Sequence, residues 1–186
     1  MAKMKDKKTK ENKSLVFTGR ECAYAAVFVA LTISAQLALS AIPGVEIVTL
    51  LFVVYAFTFG IARGMICATA FSLIRQLIFG FYPTVLLLYL IYYNVLCMVF
   101  GVLGKCLKEP LKFLWLIVVI ACICTILFTM MDCVITPLWY GYTKRATEIY
   151  FKAALGFMIP QVICTAITIT LLFLPFRKVF LICAKK

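Results

Sequence analysis

The sequence predicts an all-α, polytopic membrane protein with six transmembrane helices and both termini in the cytoplasm. First, 65% of the 186 residues are apolar, 14% are charged and the mean hydropathy is +1.08. A soluble domain is about 45–50% apolar, and a chain this small has too much surface for its volume to hide the excess from water. Second, the apolar residues form runs of about 20, the length that crosses a bilayer as a helix. Third, the basic residues lie between these runs, mostly on one side.

The apolar runs define the helices in chain order. We place the six spans at residues 20–41, 46–61, 64–81, 83–104, 111–138 and 151–176, with prolines and glycines near their boundaries. Span 2 is short, and only Ala62 and Arg63 separate it from span 3, so this pair is either a tight hairpin or broken and partly re-entrant. The chain thus divides into a basic N-terminal tail (1–19), a single membrane domain (20–180) and a C-terminal tail (181–186).

The basic residues set the predicted orientation. With six spans, 15 of the 19 Lys and Arg residues fall on the side of the N-terminal tail, three fall on the other side, and Arg75 lies within span 3. Cytoplasmic loops carry the excess of basic residues, so both termini are expected in the cytoplasm. A five-span chain would place its basic C-terminus outside. The tail lacks the pattern of a signal peptide, which is a short apolar run followed by a small-residue cleavage site.

The composition excludes several classes of function. Long apolar runs do not fit a soluble enzyme, a nucleic-acid-binding domain, a disordered chain or a membrane β-barrel. The absence of histidine excludes histidine-based catalysis, imidazole metal sites and histidine proton relays. The nine cysteines lie mostly within apolar runs, and we interpret them as small hydrophobic residues. We therefore predict no metal site, no cofactor and no enzyme activity.

Polar side chains within the spans are the candidates for function, because a charged group inside a bilayer costs about 2.5–3.5 kcal/mol. In the predicted orientation the strongest of them gather in the outer half of the membrane, whereas the inner half is nearly all apolar. This layout is typical of a pocket that opens outside and is closed inside, not of a channel lined along its length. Aromatic residues crowd the same layer, as in many small-ligand sites. The predicted substrate-binding residues are Gln36, Glu46, Thr49, Arg75, Tyr89, Tyr93, Asn94 and Asp132.

Several of these residues also have a structural alternative. Arg75 and Asp132 either form an intramembrane ion pair that locks spans 3 and 5 together or contact the ligand. Glu46 is either an interfacial carboxylate near water or a ligand contact. The aromatic residues form either an interfacial belt or the wall of the pocket.

Span 1 carries a stripe of small residues. Cys22, Ala26, Ala30, Ser34 and Ala38 recur every four residues and therefore share one face of the helix. Small faces let helices approach closely in lipid. The stripe either packs against another span of the same chain or is a docking face for a separate membrane subunit, with Ala26, Ala30 and Ser34 as its contact residues.

These features together resemble a known family. Chains of this length, with a basic tail, six spans, Ala26 and Ala30 on the first helix and an outer polar pocket, resemble the substrate-binding S component of energy-coupling factor (ECF) vitamin transporters. Residues 41–51 (AIPGVEIVTLL), followed by Phe59–Gly60 and Gly80–Phe81, look like a segment common in S components. The resemblance covers about residues 20–180.

The resemblance implies a subunit that captures a vitamin or related micronutrient from the extracellular side of the bacterial cell membrane. It also implies docking, through Ala26 and Ala30, on a membrane T component that two cytoplasmic ATPases drive, and toppling within the membrane to release the ligand. The chain has no GxxxxGK(S/T) loop, so the energy would come from those ATPases. The pocket fits a polar or charged molecule; riboflavin, thiamine precursors, cobalamin, folate and queuosine precursors all stay open.

Two other classes of function compete with this interpretation. A self-contained membrane carrier or facilitator for small solutes is the alternative, although spans 1–3 and 4–6 show no repeat of the kind common in carriers. A membrane enzyme or assembly factor would need an intramembrane Asp or Cys to carry its chemistry. Asp132 has no second intramembrane Asp as a partner, so an aspartyl dyad is not available.

Overall fold

The computed structural model of this chain describes residues 18–42, 47–107 and 109–185, the last three by their backbone alone. Within these ranges the chain is helical and has no strand. Five helices are long and apolar enough to cross a membrane, so the predicted all-α, polytopic membrane fold is confirmed. The helices are α1 (Gly19–Leu39), α2 (Val48–Phe59), α3 (Ile61–Phe79), α4 (Pro83–Cys106), α5 (Leu114–Tyr140) and α6 (Lys144–Lys185).

Helix α2 is the centre of the bundle. Its residues from Val48 to Phe57 are all buried, as expected of a helix that is apolar on every side. It packs against each of the other five helices. Its 12 residues give a length of about 18 Å, less than the ~30 Å of a bilayer core. The second predicted span is therefore a short, buried central helix.

The other five helices form a ring around α2. Along the ring, α1 packs on α3, α3 on α4, α4 on α5 and α5 on α6. Helices α6 and α1 do not pack on each other in the described ranges and meet through aromatic side chains: Phe180 of α6 lies 6.0 Å from both Phe28 of α1 and Tyr55 of α2, measured between ring centroids. The N-terminal end of α1 and the C-terminal end of α6 therefore lie at the same end of the bundle.

The helices alternate in direction, and the two ends of the bundle take names from the predicted orientation. We call the end with Gly19, Gly60 and Cys106 the inner end, and the end with Leu39 and Gly80 the outer end. Helices α1, α3 and α5 run outward, whereas α2, α4 and α6 run inward. Six alternating helices agree with the predicted topology; which end faces the cytoplasm stays a prediction.

A single residue reverses the chain between α2 and α3. Gly60 has a φ of +88°, a value that residues with a side chain rarely adopt. Its N–H donates to the carbonyl of Ala56, and its carbonyl accepts from the N–H of Gly64, so both helices keep their hydrogen bonds up to the turn. Of the two alternatives for spans 2 and 3, the structure has the tight hairpin.

Glycines let α4 approach this hairpin closely. A Cβ at Gly101 would lie 2.6 Å from the side chain of Ile61, and a Cβ at Gly104 would lie 2.2 Å from the carbonyl oxygen of Phe57. Small residues at a helix interface allow this approach in lipid, where packing and not hydrophobic exclusion joins helices. The contact fixes α4 beside α2 and α3 at the inner end.

Helix α6 is longer than predicted. It extends over 42 residues, or about 63 Å, where the sequence predicts a span at 151–176. The charged segment before that span is also helical, and its Glu148 forms an ion pair with Lys152 of the span at 2.7 Å. The predicted span was taken from the apolar run alone. An apolar run shows which residues lie in lipid, whereas the helix continues into the polar residues on both sides. Both ends of α6 extend past the ~30 Å bilayer core.

Several predicted features lie outside the described residues. These are residues 1–17 of the basic N-terminal tail, the Pro43 and Gly44 boundary of span 1, and the candidate Glu46. In the C-terminal tail, Lys186 is also outside the described part of the chain. The roles assigned to these residues stay predictions.

Candidate functional site

Three helices bring Gln36, Arg75 and Tyr89 into one polar cluster at the outer end. The Arg75 Nε donates a hydrogen bond to Gln36 Oε1 at 3.1 Å, and Gln36 Nε2 donates to the Tyr89 hydroxyl at 3.2 Å. The guanidinium carbon lies 4.4 Å from the ring centroid of Tyr89 and 4.7 Å from that of Phe79. Both distances are within the range of cation–π attraction. We call these four residues the outer cluster.

The outer cluster lies level with the beginning of α2. Phe52 of α2 and Phe71 of α3 have ring centroids 5.2 Å apart. Because the two helices are antiparallel, one turn toward the outer end leads from Phe52 back to Val48, the first residue of α2, and from Phe71 on to Arg75. Helix α2 thus begins at the level where Gln36, Arg75 and Tyr89 of the surrounding helices contact one another.

The cluster also joins two helices that do not otherwise pack together. In the described part of the chain, α1 and α4 make no direct helix–helix packing contact. The hydrogen bond from Gln36 to Tyr89 therefore crosses the space between them, and Arg75 of α3 lies beside that bond. Because an arginine in a bilayer is costly unless it has partners or a role, this placement makes the outer cluster the strongest candidate for function.

An aromatic floor lies beneath the cluster, toward the inner end. Tyr93 is fully buried, and its ring centroid lies 4.8 Å from that of Phe52 and 5.3 Å from those of Phe71 and Tyr89. These edge-on and tilted contacts are favourable geometries for aromatic pairs. Tyr93 thus contributes to the apolar floor with its ring, where the sequence predicts a substrate contact; that predicted contact stays a prediction.

Asp132 belongs to a second polar group, between α5 and α6. Its carboxylate accepts hydrogen bonds from the Thr136 hydroxyl at 2.7 Å and from the Tyr150 hydroxyl at 2.6 Å. Asp132 and Tyr150 border an open crevice of about 310 Å³ that Phe128 and Gln161 also line. The Phe128 ring centroid lies 5.8 Å from that of Tyr89, so this ring stands between the two polar groups.

The alternative of an ion pair between Arg75 and Asp132 is wrong. Among the described residues the ion pairs are Arg63–Glu21, Lys112–Glu109 and Lys152–Glu148. Helices α3 and α5 do not pack against each other in these ranges. Arg75 contacts side chains of α1 and α4, whereas Asp132 contacts α6, so each group has separate partners.

The remaining predicted candidates lie apart from the cluster or at its edge. Asn94 donates to the Leu90 carbonyl at 2.7 Å and to the Thr69 hydroxyl at 3.3 Å, in a shallow groove between α3 and α4. Thr49, in the first turn of α2, is 1% exposed, and its hydroxyl has no hydrogen-bond partner among the described residues. The assignment of both to substrate binding stays a prediction.

Gln76 is a polar residue of this level that the predicted site leaves out. It is 3% exposed, its Oε1 accepts the backbone N–H of Tyr82 at 3.1 Å, and its Nε2 has no partner in the described part of the chain. The sequence does show it as the polar neighbour of Arg75. Consecutive helical residues point in different directions, so the sequence alone does not tell which of the two faces inward; here both have polar contacts.

The small-residue stripe of α1 faces outward. Ala26, Ala30 and Ser34 are exposed, as are Cys22 and Ala38. The alternative in which this stripe packs against another span of the same chain is therefore wrong. Cys22, Ala26 and Ala30 of the stripe line an apolar groove of about 410 Å³ between α1 and α3, whereas Ser34 and Ala38 do not. The α3 side of the groove is lined by Ile66, Cys67, Ala70 and Ile74.

Comparisons with known proteins give no match to a family model, to a curated protein or to a solved structure. The arrangement of side chains in this chain therefore carries the functional argument. That arrangement consists of the outer cluster above its aromatic floor, the Asp132 group beside it, and an exposed small-residue groove between α1 and α3.

Proposed function

We propose that this chain is the substrate-capture (S) subunit of an ECF-type importer in a bacterial cell membrane. It binds a vitamin or related micronutrient from the extracellular side and docks on a membrane T component, and two cytoplasmic ATPases supply the energy for uptake. The observation that carries this proposal is the convergence of Gln36, Arg75 and Tyr89 from three helices at the outer end.

The position of the cluster favours capture over conduction. Its polar side chains lie at one level, and below them the centre of the ring is filled by α2 and by the rings of Phe52, Phe71 and Tyr93. A channel needs polar groups or constrictions along its whole length. A site that is polar at one end and closed by packed aromatic residues holds a ligand and does not let it pass.

The exposed groove between α1 and α3 supports the docking half of the proposal. Its walls are alanine, cysteine and branched aliphatic residues, which allow the close helix approach that association in lipid requires. Ala26 and Ala30 lie on this surface, and they are the residues that the resemblance to S components implies as coupling contacts.

Ligand capture is tested with the purified full-length chain alone. Small molecules retained through purification are identified by mass spectrometry, and binding of vitamins is measured by thermal shift and isothermal titration calorimetry without ATP. We expect one vitamin-class molecule to bind to the isolated chain. Retention of no small molecule, together with no binding across the vitamin panel, contradicts the proposal.

Docking is tested by a bulky substitution in the groove. We expect Ala30→Trp to abolish co-purification with a T component and ATPases expressed from the same cells while ligand binding survives. Val27→Trp is the matched control, because Val27 is on the same helix and 67% exposed but does not line the groove. Equal co-purification of both variants contradicts docking at this surface.

Transport by the chain alone separates this proposal from a self-contained carrier. The purified protein is reconstituted into liposomes without ATP or other subunits, and entry of the bound molecule is followed with a radiolabel. We expect binding without accumulation or equilibration inside the vesicles. Uptake by the chain alone identifies a carrier and contradicts the S-subunit proposal.

A further inference from the structure

We propose that the molecule captured at the outer cluster carries an anionic oxygen group, a carboxylate or a phosphate, which the Arg75 guanidinium binds. This inference rests on the proposed function, because it names the chemical class of the ligand for the same site. Three observations support it. Arg75 has no acidic partner among the described residues, buried polar atoms nearby lack hydrogen-bond partners there, and the two Nη atoms of the guanidinium make no hydrogen bond with a described residue.

The positive charge of Arg75 has no acidic partner among the described residues. Its contacts there are a neutral amide, Gln36, and two aromatic rings, Phe79 and Tyr89. Asp132 already accepts bonds from two hydroxyls and lies beyond Phe128. A charge inside a membrane protein needs a counter-charge or another partner; the described residues supply neutral groups only, and an anionic ligand supplies a counter-charge.

The polar atoms without partners at this level are able to donate hydrogen bonds. Gln76 Nε2 is a donor, and the Thr49 hydroxyl donates or accepts; both are buried and neither has a partner in the described ranges. Thr49 is in the first turn of α2, level with Arg75. Gln76 is one residue further toward the outer end of α3, and its Oε1 accepts from the backbone N–H of Tyr82 in the turn between α3 and α4. Buried donors without acceptors are unfavourable. A ligand group with several acceptor oxygens matches them better than one that itself needs acceptors.

The orientation of Arg75 leaves one part of the guanidinium for a ligand. Gln36 accepts from Nε, and the rings of Tyr89 and Phe79 contact the group, while the two Nη atoms have no hydrogen bond with a described residue. Paired Nη–H donors match the spacing of oxygens in a carboxylate or phosphate, which they bind in parallel. Gln36 therefore acts as a positioning residue that holds the guanidinium through Nε.

Matched pairs of probes test the charge requirement on the full-length protein in detergent. Each pair has an anionic and a neutral member: nicotinate and nicotinamide, biotin and biotinamide, pantothenate and pantothenol, riboflavin 5′-phosphate and riboflavin. The molecule that co-purifies with the chain is identified in parallel. We expect the strongest binder to be anionic and to bind at least about tenfold more tightly than its neutral counterpart.

Variants connect this preference to Arg75. We expect Arg75→Gln to weaken binding of the anionic probe by about 10- to 100-fold, with little change for its neutral counterpart. Arg145→Gln is the matched control, because it removes an exposed positive charge from the same outer end without touching the cluster. We expect it to leave binding unchanged.

Gln36→Glu keeps the proposal testable if Arg75→Gln does not fold. The introduced carboxylate is placed where Gln36 Oε1 accepts from Arg75, so the chain itself supplies a negative charge beside the guanidinium. We expect a melting temperature at or above that of the wild type and a loss of anion binding of at least about tenfold. A purely structural role for Gln36 predicts no change in the preference for anions.

The outcomes separate this inference from the proposed function. A neutral or cationic molecule as the best binder, or wild-type anion binding in Arg75→Gln, overturns the anionic ligand but leaves substrate capture intact. No bound small molecule of any charge overturns both. A lipid headgroup is tested in nanodiscs of phosphatidylglycerol and of phosphatidylcholine. If Arg75→Gln changes only the retention of phosphatidylglycerol and no soluble anion binds, Arg75 anchors lipid and the inference is overturned.

Discussion

Gly104 lies where α4 meets the inner end of α2, and its replacement by alanine tests the helix contact that holds the bundle together. A Cβ at this position would lie 2.2 Å from the carbonyl oxygen of Phe57 and 2.9 Å from its carbonyl carbon. Ordinary contact begins at 3.4 Å. The obstacle is backbone, so no change of side-chain rotamer relieves the clash, and α4 must move away from α2 by roughly 1 Å.

The expected magnitude is the difference between two effects. Adding a methyl group to a packed interface costs about 1–3 kcal/mol, and we expect the upper part of this range because backbone cannot move aside. Replacing glycine by alanine within a helix stabilises the helix by about 1 kcal/mol. The net loss of about 2 kcal/mol corresponds to a melting temperature lower by about 4–8 °C for a chain of this size.

The assay is thermal unfolding in detergent, followed by the intrinsic fluorescence of Trp115 and Trp139 and by size-exclusion chromatography after heating. Gly156→Ala is the matched control, because Gly156 is also helical but a Cβ there would meet no heavy atom within 4 Å. We expect that control to melt at the wild-type temperature or slightly above. A Gly104→Ala protein as stable as Gly156→Ala refutes the close contact between α4 and α2.

Two further substitutions are measured with the same assay. Gly60→Ala places a side chain at φ +88° with no heavy atom nearby, so we expect a loss of about 1–3 kcal/mol from backbone strain alone; Gly19→Ala is its control, and equal melting temperatures contradict the reversed turn. Tyr150→Phe removes the hydroxyl that donates to Asp132 at 2.6 Å, and we expect a loss of about 1–2 kcal/mol. Tyr142→Phe serves as its control, and an unchanged Tyr150→Phe protein rules out a stabilising bond to Asp132.

The short central helix places polar contacts at one level of an apolar bundle. Helix α2 begins at Val48 and fills the inner part of the ring. At the level of its first turn, Gln36, Arg75 and Tyr89 of three surrounding helices contact one another.

Chain composition was sufficient to predict the solvent and the secondary structure. Long apolar runs with few charges are stable only in lipid, and in lipid a chain must satisfy its own backbone hydrogen bonds, which a helix does locally. The same logic identified Gln36 and Arg75, because a polar side chain in an apolar run stands out whatever its neighbours are. These inferences need no knowledge of which helix packs against which.

The order of the helices around the ring decided which side chains contact each other and which faces stay exposed. Arg75 contacts Gln36 and Tyr89 and not Asp132, because α3 is next to α1 and α4 and is separated from α5. The stripe with Ala30 faces outward because no helix in the described part of the chain covers that side of α1. Contacts between distant segments depend on the direction and rotation of each helix. A linear pattern of residue types specifies the faces of one helix but not the neighbour that each face meets.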